Sequence, residues 1–266
     1  MEDVFRITPS KNSEVPILVS VPHCGTFFPD EVKDQYVPEL IQSPDDTDWF
    51  VDTLYDFVCE MGIWMIAARN SRWVIDLNRD PQSKPLYSDG RIITSLCPTT
   101  TFLGEPIYLD GRKEVAGTEI QRRVEVYYNP YHQKIQLQLD DLKRKFGRVV
   151  LWDCHSIRQT VLTIQKEKFP DLILGDADGT SASPGLIEGV LGVLDHSNYS
   201  VNHNHPFKGG YITRHFGQPS INQHALQLEM TKVNYMDDTE KGYSKERAGK
   251  MRELLKLNFE KLIDQL

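Results

Sequence analysis

Two apolar runs in this 266-residue chain stop abruptly at a histidine: Ile17-Leu18-Val19-Ser20-Val21 leads through Pro22 to His23, and Val149-Val150-Leu151-Trp152 leads through Asp153 and Cys154 to His155. Such runs read as buried strands, and the residue just past a strand's C-terminal end lies where open α/β sheets place their binding crevice. The same pattern predicts a strand over Val15–Val21, strands over Ile63–Ala67 and Trp73–Leu77, and short ones at Leu172–Leu174, Tyr211–Thr213 and Ala225–Glu229. Helical spacing appears over Asp48–Met61, where Phe50, Val51, Leu54, Tyr55 and Val58 recur at three and four residues until Gly62 breaks it. A long helix is expected from Thr118 to Phe146, with Pro130 threatening a kink, and another over Pro184–Leu194, weakened by three glycines. The clearest helix is Ser244–Leu266, with Met251, Leu254, Leu255, Phe259, Leu262 and Leu266 on one face and Asn258 interrupting it. Strands and helices alternate from end to end, which predicts a single α/β domain spanning residues 1–266.

Between Gln82 and Glu114 the chain is rich in Pro, Gly, Ser, Thr and Tyr with weak periodicity, and it reads as a loop excursion and lid candidate. Composition narrows the partners. With 38 acidic against 30 basic residues the formal charge is −8, which argues against nucleic acid while leaving room for a local pocket that binds a small anion. Cys24, Cys59, Cys97 and Cys154 show no paired metal spacing and fit a reducing compartment. No secretory signal and no membrane-length apolar stretch is visible, so the expectation is a cytoplasmic protein without a membrane partner.

Two strand-end imidazoles suggest a metal site, since catalytic Zn²⁺ commonly takes three protein ligands and leaves a position to water. His23 and His155 supply two, and the acidic group Asp45-Asp46-Thr47-Asp48 is the source for a carboxylate. Asp48 is favoured as the third ligand and Asp46 is its rival; spacing alone does not decide. Cys24 and Cys154 flank the histidines, but strand alternation turns them toward the core. Asp153 alternates onto the face of His155 and is a candidate partner for an imidazole N–H. Asn78-Arg79, at the end of Val74-Ile75-Asp76-Leu77, offers a guanidinium fork for a substrate carboxylate, unless Asp76 or Asp80 neutralises it. Arg72 falls at the opposite end of that segment unless the preceding loop folds back, and Lys208 and Arg214 could complete a carboxylate clamp. Glu229, an ionisable residue in the apolar run Leu226–Met230, is the candidate to move a proton between water and a leaving amine.

Taken in order, Val21-Pro22-His23-Cys24-Gly25, Thr47-Asp48, Asp76-Leu77-Asn78-Arg79-Asp80-Pro81, Asp153-Cys154-His155-Ser156, Asn204 through Ile212 and Gln227-Leu228-Glu229 resemble the N-formylglutamate amidohydrolase family over about residues 16–240. That family is similar to the zinc-dependent exopeptidases, so the resemblance implies a three-layer α/β/α fold with a mixed central sheet, phosphorylase/hydrolase-like. It implies His23 and His155 as metal ligands, Asn78 and Arg79 as carboxylate binders and Glu229 as general base or acid. One departure matters: the exopeptidases take their first histidine and acidic ligand from HxxE, whereas Thr26 stands in the acidic position here, which displaces that ligand to the Asp46–Asp48 region. The expected reaction is hydrolysis of an N-acyl amino acid, N-formyl-L-glutamate by resemblance, to formate and glutamate, a step that ends a histidine degradation route. The alternatives are a metal-dependent carboxypeptidase or amidase with another substrate, and a noncatalytic binder of acidic metabolites.

Overall fold

The apolar runs become the centre of one mixed sheet, as expected for strands covered on both faces. The computed structural model describes residues 4–82, 84 and 95–266. Its strands are β1 (Phe5–Thr8), β2 (Ile17–Val21), β3 (Trp64–Ala68), β4 (Val149–Ile157), β5 (Leu172–Gly175), β6 (Val201–His203) and β7 (Gln223–Thr231). They lie in the order β1-β3-β2-β4-β7-β5-β6, with β3, β2, β4 and β7 mutually parallel, β1 antiparallel to β3, and the parallel pair β5–β6 antiparallel to β7. The helices are α1 (Asp30–Lys33), α2 (Pro38–Ile41), α3 (Val51–Leu54), α4 (Gly117–Arg123), α5 (Asn129–Phe146), α6 (Pro184–Asp195), α7 (Tyr211–Phe216) and α8 (Lys245–Gln265). Among the described residues no helix is long and apolar enough to cross a membrane.

Strand alternation divides the interior into two apolar layers, giving the expected α/β/α sandwich. Ile17, Val19 and Val21 of β2, Trp152 and Cys154 of β4 and Leu226 and Leu228 of β7 face α3, α6 and α8. Leu18, Leu151 and Ala225, on the other face, meet Tyr131, Ile135, Leu139 and Leu142 of α5 and Phe216 of α7. The second face does not stay apolar. Toward the C-terminal edge Leu18 is followed at the next same-side position by Ser20, Leu151 by Asp153 and His155, and Ala225 by Gln227 and Glu229, all buried.

Several local expectations change. Trp73–Leu77 is an irregular buried segment, not a strand: its apolar side chains join the α5-side core, while the Val74 carbonyl accepts from the buried Arg123 guanidinium at 2.9 Å and the Asp76 N–H reaches the Leu96 carbonyl. Its β-former content reflects burial without a ladder. Tyr211–Thr213 opens helix α7, because the Ile212 N–H is taken by the Asn78 side chain at the helix start. The helical period over Asp48–Met61 resolves into α3 and a 3₁₀ segment, Asp56–Met61, closed by Gly62 at φ 84°. Pro130 does not break its helix. A π-helical stretch, Val124–Tyr128, contains the carbonyl four residues before the proline and widens the turn there, so the helix runs on to Phe146. β1 and β6 are additional strands. Within the lid candidate, residues 83 and 85–94 lie outside the described residues; Leu96, Cys97, Ile107 and Tyr108 are buried in the α5-side core.

Candidate metal centre

Register brings the chemistry together. β4 and β7 pair so that Asp153 faces Gln227 and His155 faces Glu229, and β2 lies on the other side of β4. His155 sits inside its strand; His23 follows β2 by two residues in the turn that begins at Pro22. Asp48 reaches the same place from the loop before α3, where its N–H donates to the His23 carbonyl at 2.9 Å.

Asp48 Oδ2 lies 3.2 Å from His155 Nδ1 and 3.7 Å from His23 Nδ1, and one ligand atom from each residue falls within 4.8 Å of the others. The Asp46 carboxylate is engaged elsewhere, accepting from the Trp73 indole at 2.8 Å and the Phe102 N–H at 3.0 Å. Both imidazoles turn Nε2 toward a carboxylate: His23 to Asp76 Oδ1 at 2.8 Å, His155 to Asp153 Oδ2 at 2.9 Å. This carboxylate–imidazole arrangement fixes the proton on Nε2 and leaves Nδ1 as the donor atom. His23 Nδ1 is buried and has no hydrogen-bond partner among the described residues. An orphaned imidazole nitrogen, a second one and a carboxylate oxygen, converging in a buried pocket, fit a divalent metal of the zinc type.

The surrounding charges are coupled. Burial alone would raise Asp76, but Arg72, Arg79 and His23 hold it well below the usual carboxylate range; it accepts from Arg72 Nη2 at 2.6 Å and from the Asn78 N–H at 2.9 Å. Burial, helped by the Arg72 charge, pushes the His23 imidazole down to about 4. Burial works against a charged His155 too, yet the Asp153 and Asp48 carboxylates hold it well above its ordinary value. Glu229, buried beside His155 and Asp48, is pushed up to about 8 by burial.

Because Trp73–Leu77 is not a strand, Arg72 folds back to the site: it is buried, pairs with Asp76 and lies 4.8 Å over the Phe102 ring. Arg79 Nη2 stands 3.8 Å from Asp76 Oδ2, so the neutralising partner anticipated from the sequence is present. The Asn78 amide is engaged internally: Oδ1 accepts from the Ile212 N–H at 2.8 Å, and Nδ2 lies 2.9 Å from His155 Nε2 and 3.4 Å from Asp153 Oδ2. With His155 Nε2 protonated toward Asp153, the Asn78 NH₂ donates to Asp153 Oδ2, so Asn78 joins the 209–212 loop to the carboxylate behind a candidate ligand histidine. Lys208 pairs with the exposed Asp178 at 2.9 Å, and Arg214 donates to the Gly209 carbonyl at 3.0 Å. Cys154 faces the opposite core and Cys24 packs against it; burial pushes both thiols up, which disfavours thiolate chemistry. Asp76, as the partner of three cationic or imidazole groups, and the buried Lys232 carry no distinguishing signal in the sequence. Only the spacing of Asp76 to Asn78 and Arg79 hinted at the first.

Fold and site together define an α/β protein with a buried His–Asp–His group, able to hold a metal ion, at the C-terminal edge of its sheet. The chain matches the sequence model of N-formylglutamate amidohydrolase over residues 15–236 and belongs to that family. It is 43% identical over 227 residues to the N-formylglutamate deformylase of Pseudomonas putida, covering 85% of this chain and 84% of that one. It is 42% identical over 231 residues to the deformylase of Pseudomonas aeruginosa, covering 86% and 85%. Among solved structures, the N-formylglutamate amidohydrolase from Ralstonia eutropha superposes with a TM-score of 0.81 at 28% identity over 96% of both chains. A gene product of Agrobacterium tumefaciens shares the fold, with a TM-score of 0.73 at 16% identity over 97% of this chain and 95% of that one.

Proposed function

We propose that this chain hydrolyses N-formyl-L-glutamate to formate and L-glutamate, with Zn²⁺ or a similar divalent ion held by His23 Nδ1, Asp48 and His155 Nδ1. The observation that carries the reading is the convergence of two carboxylate-backed Nδ1 atoms and Asp48 beside the shielded Glu229. It is supported by relatives over 40% identical that are N-formylglutamate deformylases. When bound, such an ion polarises a carbonyl and lowers the pKa of a nearby water.

The chain's own groups supply the rest. Glu229, whose proton affinity burial lifts to about 8, takes a proton from the attacking water in its ionised form and delivers it to the departing amine nitrogen. Atoms balance: the formyl C–N bond breaks, water contributes OH to the carbonyl carbon and H to nitrogen, and formate and the amino group ionise afterwards. Arg72, buried with its charge felt at both Asp48 and Glu229, favours negative charge developing on the carbonyl oxygen. Arg79 anchors the α-carboxylate of the substrate through its guanidinium fork. Asn78 holds the 209–212 loop and Asp153, the carboxylate behind His155, in place, while Lys208 before α7 and Arg214 within it contribute to anion attraction at the surface.

The test is release of formate from N-formyl-L-glutamate by the metal-loaded chain, loss on chelation and recovery with zinc, set against N-acetyl-L-glutamate and a peptide substrate. Metal uptake at one ion per chain without formate release would sink the assignment.

A further inference from the structure

Separate segments deliver His23, Asp48 and His155, so each pair of segments needs a connection to fix the spacing between its ligands. Two of these connections run through the backbone. β2 pairs with β4 as far as Ser20 and Asp153, which ties the segment leading to His23 to the strand that carries His155, and the Asp48 N–H donates to the His23 carbonyl at 2.9 Å. Between the Asp48 loop and β4 no backbone hydrogen bond is present among the described residues. A side chain makes that link instead. Tyr235, fully buried, has its hydroxyl 2.8 Å from the Trp49 carbonyl and 2.8 Å from Ser156 Oγ. A phenol has one hydrogen and a carbonyl can only accept, so the Tyr235 hydroxyl donates to Trp49 and accepts from the Ser156 hydroxyl. Trp49 follows Asp48 and Ser156 follows His155, so the relay runs from the neighbour of one candidate ligand to the neighbour of another.

Local structure explains how one side chain reaches both. Ser156 lies inside β4, so alternation turns it to the face opposite His155, toward the apolar layer that contains Tyr235. After β7 the chain makes the 3₁₀ turn Lys232–Asn234, and side chains three residues apart on such a turn come out on one side. Lys232 and Tyr235 accordingly meet the same loop: Lys232 Nζ donates to the Asp45 carbonyl at 3.2 Å, and Tyr235 holds the Trp49 carbonyl, so the loop is gripped before and after Asp48. We propose that Tyr235 is a positioning residue for the metal centre, holding the Asp48 carboxylate at the distance from His155 at which both can meet one ion. The inference rests on the metal-dependent reading of the site and adds to it a residue outside the ligand set.

Tyr235→Phe removes the hydroxyl and keeps the ring. Zinc affinity, measured by competition with a chromophoric chelator, should fall about tenfold, the lower end of the effect of losing a group that orients a ligand. Ser156→Ala cuts the relay at its other end and should cost as much, and it carries the same test should Tyr235→Phe not fold. The double variant should lose no more than Tyr235→Phe alone, because both changes break one connection. Visible absorption of the cobalt-loaded chain reports ligand geometry and should shift in both single variants. Val190→Ala in α6, a truncation in the same apolar layer, separates positioning from lost stability: its melting temperature falls while zinc affinity stays within about twofold and the cobalt spectrum is unchanged. Zinc affinity within about twofold of the parent in Tyr235→Phe, additive losses in the double variant, or an equal fall in Val190→Ala would overturn the proposal. A parent chain that takes up no ion strikes the metal-dependent reading itself and this inference with it, whereas a parent that binds one ion no more tightly than Tyr235→Phe strikes the inference alone.

Discussion

Replacing Asp76 by Asn tests the idea that a carboxylate behind His23 prepares it for a metal. In the folded chain one carboxylate serves four groups: Oδ1 receives His23 Nε2 at 2.8 Å and the Asn78 N–H at 2.9 Å, and Oδ2 receives Arg72 Nη2 at 2.6 Å with Arg79 at 3.8 Å. An amide has one oxygen. If it faces Arg72, the NH₂ meets the Asn78 N–H and His23 Nε2, and the imidazole answers by moving its proton to Nδ1, the atom a metal needs. If it faces His23, the buried Arg72 loses its anion. Either way a buried pair is broken, which costs about 3 kcal/mol at the lower end of measured cases. At about 2–4 °C per kcal/mol for a chain of this size, the melting temperature should fall by about 6–12 °C. Metal affinity should drop about 10- to 100-fold, the usual effect of losing a carboxylate behind a ligand histidine. Both are measurable on one preparation, by thermal melts of chelated protein and by competition with a chromophoric chelator. An Asp76→Asn protein that melts within about 2 °C of the parent and holds zinc within about twofold would refute the reasoning, since neither the Arg72 pair nor the His23 tautomer would then depend on that carboxylate.

Glu229→Gln should retain one metal per chain and lose about 10²- to 10⁴-fold in kcat, the span of a general acid–base group; full turnover with normal metal content would remove its proton-transfer role. The same residue sets a stability signature in chelated protein. Its folded pKa of about 8 lies above the ordinary 4.5, so its contribution is complete below about pH 4.5 and is lost as pH rises through 8. The melting-temperature difference between Glu229→Gln and the parent should therefore move in the variant's favour from pH 5 to pH 8 and level off above it; a flat difference would mean that burial does not raise this carboxyl. Gly210→Ala should destabilise by about 1–3 kcal/mol and weaken metal binding, because the added methyl would stand 2.2 Å from the Asn78 side-chain nitrogen, whose amide is locked between Ile212 and His155. Unchanged denaturant midpoint and metal affinity in that variant would show that the loop moves away freely.

The central strands were legible because strands covered on both faces leave continuous apolar runs, and β2, β4 and β7 each supply one. Histidines at the ends of two such runs are brought together with Asp48 in one buried group. What failed has a common cause. Trp73–Leu77 has strand composition because it is buried, yet its backbone groups are met by Arg123 and Leu96 from distant parts of the chain. Tyr211–Thr213 has the composition of a strand, and the cap that starts its helix, the Asn78 oxygen, lies 134 positions away. Lys232 reads locally as an ordinary polar residue after a strand, and its burial is created by the Asp45 loop and the 156–161 segment packing over it. Phe5–Thr8 is a four-residue edge strand with too few positions to show alternation.

Pairing register ties the site to the fold. Along β4 the positions 149, 151, 153 and 155 share one face, and β7 presents 225, 227 and 229 beside them, so the ladder that pairs Leu151 with Ala225 also pairs His155 with Glu229. The apolar members at the N-terminal end fix that register against α5, since a slip by one residue would turn Leu151 and Ala225 out of their core and bring Trp152 and Leu226 into it. The same slip would replace His155 and Glu229 at the polar edge by Cys154 and Leu228. Packing at one end of the sheet thus specifies which side chains can meet at the other. Substitutions in the apolar half of β4 or β7 should consequently weaken metal binding even though they touch none of its candidate ligands, whereas equal losses of stability introduced in α6 or α8, on the opposite face, should not.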